Sequence, residues 1–225
     1  MIYLTNQDNT DWKGTLWGEN ITHTEENPNY QFMAYKSLDV AAYMYPCYEG
    51  IKEPKFWECT GEGETPYEIL RGRFKKLTTL KEVHLMEFET FNAETNELKI
   101  NKFPTNEQRI TFGILCSLNL VLNPIFREWA VKYLNGTDPT KQSAQDCSEK
   151  LSESVLDEKT PPEHQYITCA LAALGSVMLD DPALFAANAA HRAFHDSLEL
   201  TEPLNLEQTA MIVNMMPRSE IVQIL

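Results

Sequence analysis

The chain has 225 residues, 43% of them apolar, and carries a net charge of −14. That apolar fraction supports a real core and excludes a disordered chain. No apolar run is long enough to span a bilayer, and there is no basic stripe or Arg cluster to neutralise phosphates, so direct nucleic-acid binding is disfavoured.

In chain order, the first hundred residues read as short strands, turns and one helix. The opening Met1-Ile-Tyr-Leu-Thr-Asn-Gln-Asp8 lacks the basic and apolar regions of a signal peptide, so the expected location is the cytoplasm. Met1–Leu4 and Thr15–Trp17 are strand candidates, and Thr24–Asn29 is turn chemistry. Tyr30–Tyr35 follows as a strand. Ser37 is placed to cap a helix over Leu38–Tyr45, which Pro46 would stop. Lys55–Gly61 reads as a strand closed by glycines, and Gly72–Lys76 and Thr78–Leu85 as two more. Met86–Phe91 alternates strictly and can pair with Glu97–Lys102 across Asn92–Asn96 as a hairpin.

At Pro104 the texture changes to helices. About six are expected, opening near Thr105, Pro124, Pro139, Pro162, Pro182 and Asn205. The first is the best specified. Thr105 is the N-cap, Gln108 completes a capping box, and Glu107 suits the helix dipole. Ile110, Ile114, Leu118 and Val121 recur at helical spacing, with Phe112, Leu115 and Leu122 widening the stripe, and Asn123-Pro124 would end the helix. Asn135-Gly136 is a stop, Asp181-Pro182 a cap followed by N1, and Asn205 with Gln208 repeats the capping logic. Pro139–Thr160 is polar and is the least marked helix. The fold class is therefore α+β: a mixed domain over 1–103 and an all-helical domain over 104–225.

Charge divides evenly across that boundary. Residues 1–103 hold 11 basic and 17 acidic side chains, and 104–225 hold 8 and 16, giving −6 and −8. Two readings of the acidity stand: solubility, or a surface complementary to a basic host protein. The five cysteines, Cys47, Cys59, Cys116, Cys147 and Cys169, form no C-x-x-C pair and read as free buried thiols.

Several phrases resemble one family. Leu16-Trp-Gly-Glu-Asn-Ile-Thr-His23 is similar to W-G-x-x-I/V-T-H, and Lys55-Phe-Trp-Glu-Cys-Thr-Gly61 to R-L-W-E-A-E-G. Leu77-Thr-Thr-Leu-Lys-Glu-Val83 resembles L-T-T-L-R-E-I, and Thr105–Leu118 resembles T-x-E-Q-R-x-x-F-x-I-L-C-A-L. The end of Trp129–Asp138 resembles W-L-S-G-x-D. Together they cover about residues 16–140 and mark the chain as similar to an uncharacterised family of tailed-phage and prophage accessory proteins. The family's H-A-Y-x-H-P phrase is replaced here by Met33-Ala-Tyr-Lys-Ser-Leu38, which lacks both histidines. The resemblance implies a phage setting, action in the host cytoplasm and no known reaction.

Candidate chemistry is sparse. Trp17, Thr22 and His23, with Trp12 nearby, suggest a pocket that stacks a planar ligand, and Tyr35 and Trp57 are added as binding candidates; the plainer reading is a core-edge histidine. The order strand, Ser37–Tyr43 helix, strand faintly resembles ADP-ribosyltransferases, for which His23 and Glu58 are the only nameable catalytic residues. His191 and His195 share a helix face at i and i+4, yet no Glu follows the first and no third ligand is identifiable, so no metal is assigned. No cofactor is expected. Arg109, against the dipole in the first turn, is expected to pair with Glu58 or Glu82 and, with Glu107, to mark the domain junction. The leading function is an interaction protein that binds a host bacterial factor, such as a defence component; the alternative is the diverged ADP-ribosyltransferase using NAD.

Overall fold

The computed structural model describes residues 1–48, 51, 53–65, 70–85, 88–92, 97–101, 103–155, 166–198 and 200–224. The chain is α+β. It forms two compact units, Met1–Phe103 and Pro104–Leu225.

The first unit is a small closed barrel. Its strands are β1 (Ile2–Thr5), β2 (Thr22–Thr24), β3 (Phe32–Tyr35), β4 (Lys55–Thr65) and β5 (Arg71–Val83). The sheet order is β2-β5-β3-β1-β4, and β4 also pairs with β5, which closes a ring of β5, β3, β1 and β4. All the pairings are antiparallel, with Tyr3 opposite Trp57 and Phe32 opposite Phe74. Within that ring each strand is paired on both sides, and β2 lies outside it, paired with β5. Helix α1 (Leu38–Tyr48) connects β3 to β4, its amide at Val40 bonded to the Ser37 hydroxyl at 3.3 Å. A separate hairpin pairs β6 (Phe88–Asn92) with β7 (Glu97–Asn101). Its turn and the expected start at Met86 lie outside the described residues.

Four expectations for this unit are corrected. Thr15–Trp17 is not a strand; only an isolated bridge joins Thr10 to Leu16. Gly72–Lys76 and Thr78–Leu85 are one strand, because Leu77 is a fully buried core residue rather than a break. The glycines do not close β4. The strand runs on to Thr65, because the Phe74 ring lies across Gly61 and Gly72: a Cβ at Gly61 would stand 2.2 Å from Phe74 Cδ1 and one at Gly72 2.4 Å from Cζ. Glycine here makes room for an aromatic ring. Helix α1 likewise continues two residues past Pro46.

The second unit is a helical bundle around α2 (Asn106–Leu118). Its other helices are α3 (Pro124–Leu134), α4 (Lys141–Val155), α5 (Ile167–Met178), α6 (Pro182–Ser197), α7 (Leu206–Met215) and the short α8 (Arg218–Ile221). Helix α2 packs against α6, α5, α7 and α3, and is buried from Thr111 through Leu118. Small residues let the helices approach: a Cβ at Gly113 would lie 3.0 Å from the Ala186 backbone. The capping box at Thr105 and Gln108 is complete. Gly136 takes φ +76° after α3, and Asp181 and Asn205 cap α6 and α7. Polar α4 holds as a helix because Ala144, Cys147 and Leu151 form one buried stripe.

Helix α2 stops at Leu118, three residues short of the expected Val121. The Asn119 side chain bonds back to the Leu115 carbonyl, and Arg127 donates to the Leu118 and Val121 carbonyls. Asn123-Pro124 is thus the start of α3, where Asn123 Oδ1 accepts from the Ile125 amide at 3.0 Å, rather than the end of α2. The start expected near Pro162 lies outside the described residues. Tyr166, at φ +68°, precedes α5.

Candidate functional site

The sequence-predicted site lies in the barrel, and most of it is core. Trp17 is 1% exposed, with the Tyr3 ring at 4.6 Å, Phe32 at 5.3 Å and His23 at 4.6 Å between centroids. Its faces are filled by protein, so it has no room for a planar ligand. Trp57 is buried and donates its indole N–H to Thr5 Oγ1 at 2.9 Å. Tyr35 is fully buried, with the Arg71 guanidinium 5.8 Å from its ring centre. Thr22 meets Thr78 hydroxyl to hydroxyl at 2.8 Å in an exposed cross-strand pair. His23 is half-buried, and its Nε2 lies 2.9 Å from the Leu16 carbonyl. Trp17, Trp57 and Tyr35 thus take part in the packing of this unit.

His23 and Glu58 do not converge. His23 pairs with Leu77, whose side chain lies in the barrel core, and cross-strand partners share a face. Glu58 sits between the inward-facing Trp57 and Cys59, and so points the opposite way. It meets Lys81 at 3.3 Å outside the barrel. A catalytic pair in one concave pocket is not formed.

The sequence reading missed Asp11, a buried carboxylate that organises the Asn6–Trp17 loop. One oxygen accepts from the Tyr3 hydroxyl at 3.0 Å and the Trp17 indole at 3.1 Å. The other accepts from the Lys13 and Thr15 amides at 2.8 and 2.9 Å. Left-handed Asn9 (φ +68°) and Gly14 (φ +80°) turn the chain around it. The run Asp8-Asn9-Thr10-Asp11 with Gly14 is turn chemistry, the local signal from which this loop can be read. With four donors the carboxylate is satisfied, and its role is structural. Beside it the Lys13 ammonium lies 5.3 Å from the exposed Trp12 ring centre, 5.6 Å from Tyr30 and 5.1 Å from Phe32.

In the helical unit, Arg109 is 3% exposed and donates from Nε to the Pro104 carbonyl at 3.2 Å, so it is not a solvated arginine. Glu107 is bridged by Arg218 at 3.3 Å, and that guanidinium also covers the Tyr133 ring at 5.0 Å. In the barrel unit Glu82 lies 4.0 Å from the His84 ring. His191 and His195 stand with ring centres 6.4 Å apart, and among the described residues no group of three metal-ligating side chains gathers. The thiols are free. Burial pushes Cys59 and Cys169 up to about 12 and Cys147 to about 11, and holds Cys116 well above its ordinary value.

The concavity that the sequence did not announce is a cleft of about 350 Å³ in the helical unit. Leu115 and Leu120 at the end of α2, Leu204 before α7, Ile212 on α7 and Ile221 on α8 form its apolar walls. Leu200, Glu202 and Gln208 reach its mouth, all exposed. Ser197 fixes one wall: its hydroxyl donates to the Phe194 carbonyl at 2.6 Å and accepts from the Leu204 amide at 2.9 Å. Such a shape holds one or two large side chains with polar groups at the rim. No helix among the described residues is long and apolar enough to cross a membrane. Comparison with protein-family models, curated proteins and solved structures finds no match.

Proposed function

We propose that this chain is a phage accessory protein that acts by binding a host protein, with a defence component as the target class and no reaction of its own. The observation that carries the reading is how the charge is arranged. Strand β5 holds five of the eleven cations of residues 1–103, and three of the five meet the chain's own carboxylates. Lys75 meets Glu26 at 2.6 Å, Lys76 meets Glu62 at 2.7 Å and Lys81 meets Glu58 at 3.3 Å. What remains of the net −14 is carboxylate. An acidic surface of this kind favours encounter with a basic partner and disfavours nucleic acid.

The phrases at Leu16–His23, Lys55–Gly61, Leu77–Val83 and Thr105–Leu118 supply the phage setting by resemblance. The test is affinity capture from a lysate of the host bacterium with the full chain as bait. One stoichiometric host protein, released by raised salt, is the expected result. Turnover of a substrate by the pure protein, with no host protein retained, overturns the reading.

A further inference from the structure

We propose that the cleft between α2, α7 and α8 seats a short cationic segment of the partner, which inserts one large apolar side chain and lays lysines or arginines against the rim. This rests on the reading of the chain as a host-protein binder and names the place and chemistry of contact. The cleft floor is aliphatic, from Leu115, Leu120, Leu204, Ile212 and Ile221. Among the described lining residues the one ionisable group is Glu202, exposed and without a hydrogen bond or ion pair to any described residue. Exposed Glu207 and Glu220 stand next in sequence to the lining residues Gln208 and Ile221.

The nearby cation, Arg218, is committed to Glu107 and the Tyr133 ring. No described lining residue is a lysine or arginine. The walls therefore offer apolar contact and negative charge together, and the complement is an apolar anchor flanked by cations. The barrel makes the contrast. Its exposed aromatics, Trp12 and Tyr30, surround the chain's own Lys13 ammonium, so that patch already holds a cation. The cleft has none. Its walls are also set in advance by the Ser197 bonds and by Asn205 Oδ1, which accepts from the Gln208 amide at 3.0 Å. A preformed seat lowers the ordering cost of binding.

The experiment uses the full chain and a labelled hexapeptide with a central Leu-Phe pair between two lysines on each side. Fluorescence anisotropy reads the affinity. Glu202→Gln is expected to weaken binding about fivefold and Leu200→Ser roughly tenfold, the size of effect that loss of an anchoring contact produces. Glu128→Gln removes one charge from α3, away from the cleft, and is expected to leave the affinity unchanged. Both cleft changes fall at exposed residues, so folding is retained, which far-ultraviolet dichroism checks. Equal binding by both cleft variants, or equal binding of a peptide with glutamates in place of the lysines, overturns the proposal. Lysate capture with the double variant separates it from the broader reading. If the double variant still retains the wild-type chain's host protein, the cleft assignment fails and host binding stands. If both cleft variants weaken peptide binding as expected but the wild-type chain captures nothing and turns over a substrate, the cleft stands and host binding fails.

Discussion

The two units solve the packing problem with different materials. The barrel is built from large aromatic side chains around a polar hub: Tyr3, Trp17, Phe32, Trp57 and Phe74 fill it, and Asp11 ties two of them to the loop backbone. The helical unit is built from small residues at close helix crossings, with Ala186, Ala187, Ala189, Ala190 and Ala193 buried along α6 and Gly113 facing them on α2. The first depends on hydrogen bonds made across a loop, the second on the absence of side-chain volume. Each should therefore fail to a different kind of substitution. Three of the four tryptophans, Trp12, Trp17 and Trp57, lie in the barrel and most of the helix in the other unit, so fluorescence and dichroism at 222 nm report on them separately.

The largest effect is expected at the hub. Asp11→Ala strands four donors, two of them buried aromatic groups, and should cost about 3–5 kcal/mol after water enters. Denaturant unfolding followed by tryptophan fluorescence measures it. A loss under 1 kcal/mol would mean that the loop is held by its turns alone. Next is volume. Gly61→Ala forces a methyl into the Phe74 ring, and Gly113→Ala forces one into the Ala186 backbone. Each should cost about 1–3 kcal/mol. The barrel variant should move the fluorescence transition and the bundle variant the dichroism transition. Coincident shifts in both would show that the units unfold as one.

Alkaline pH sharpens the contrast. Buried thiols with folded values near 11 to 12 ionise near 9 once unfolded. The unfolded state then releases protons that the folded state keeps, so stability is fully present below pH 9 and is lost between about pH 9 and 12. Burial raises three thiols of the helical unit, Cys116, Cys147 and Cys169, and one of the barrel, Cys59. The dichroism midpoint should fall more steeply with pH than the fluorescence midpoint, and Cys169→Ala should flatten it. At the small end, Thr105→Ala should cost about 1 kcal/mol by removing a cap. Lys76→Met, at an exposed pair with Glu62, should change stability by less than about 1 kcal/mol.

What could be read from the residues were features whose causes lie within a few positions of one another. The cap and capping box at Thr105 and the Asp181-Pro182 start follow from side chains bonding their own neighbouring backbone, the left-handed Gly136 from the absence of a Cβ, and the α+β succession from the local spacing of apolar residues. The strand-like pattern of Arg71–Val83 was visible too, but its continuity was not, because only the partners on both edges of β5 make Leu77 a core position rather than an end. The same limit applies to the site. Trp17 and His23 are recognisable as an aromatic pair in sequence, but Tyr3 and Phe32, which close over Trp17, arrive through sheet register. The cleft is assembled from four stretches between Leu115 and Ile221, and the local signals within them, such as the Asn205 cap, do not tell that the stretches meet. Sequence alone determined where helices start, where turns fall and how much charge the surface bears, since those depend on short-range hydrogen bonds and on counting. Only the tertiary structure decided which aromatic faces were filled, which carboxylate was buried and where a concave surface was left, since those depend on which distant side chains occupy the same volume.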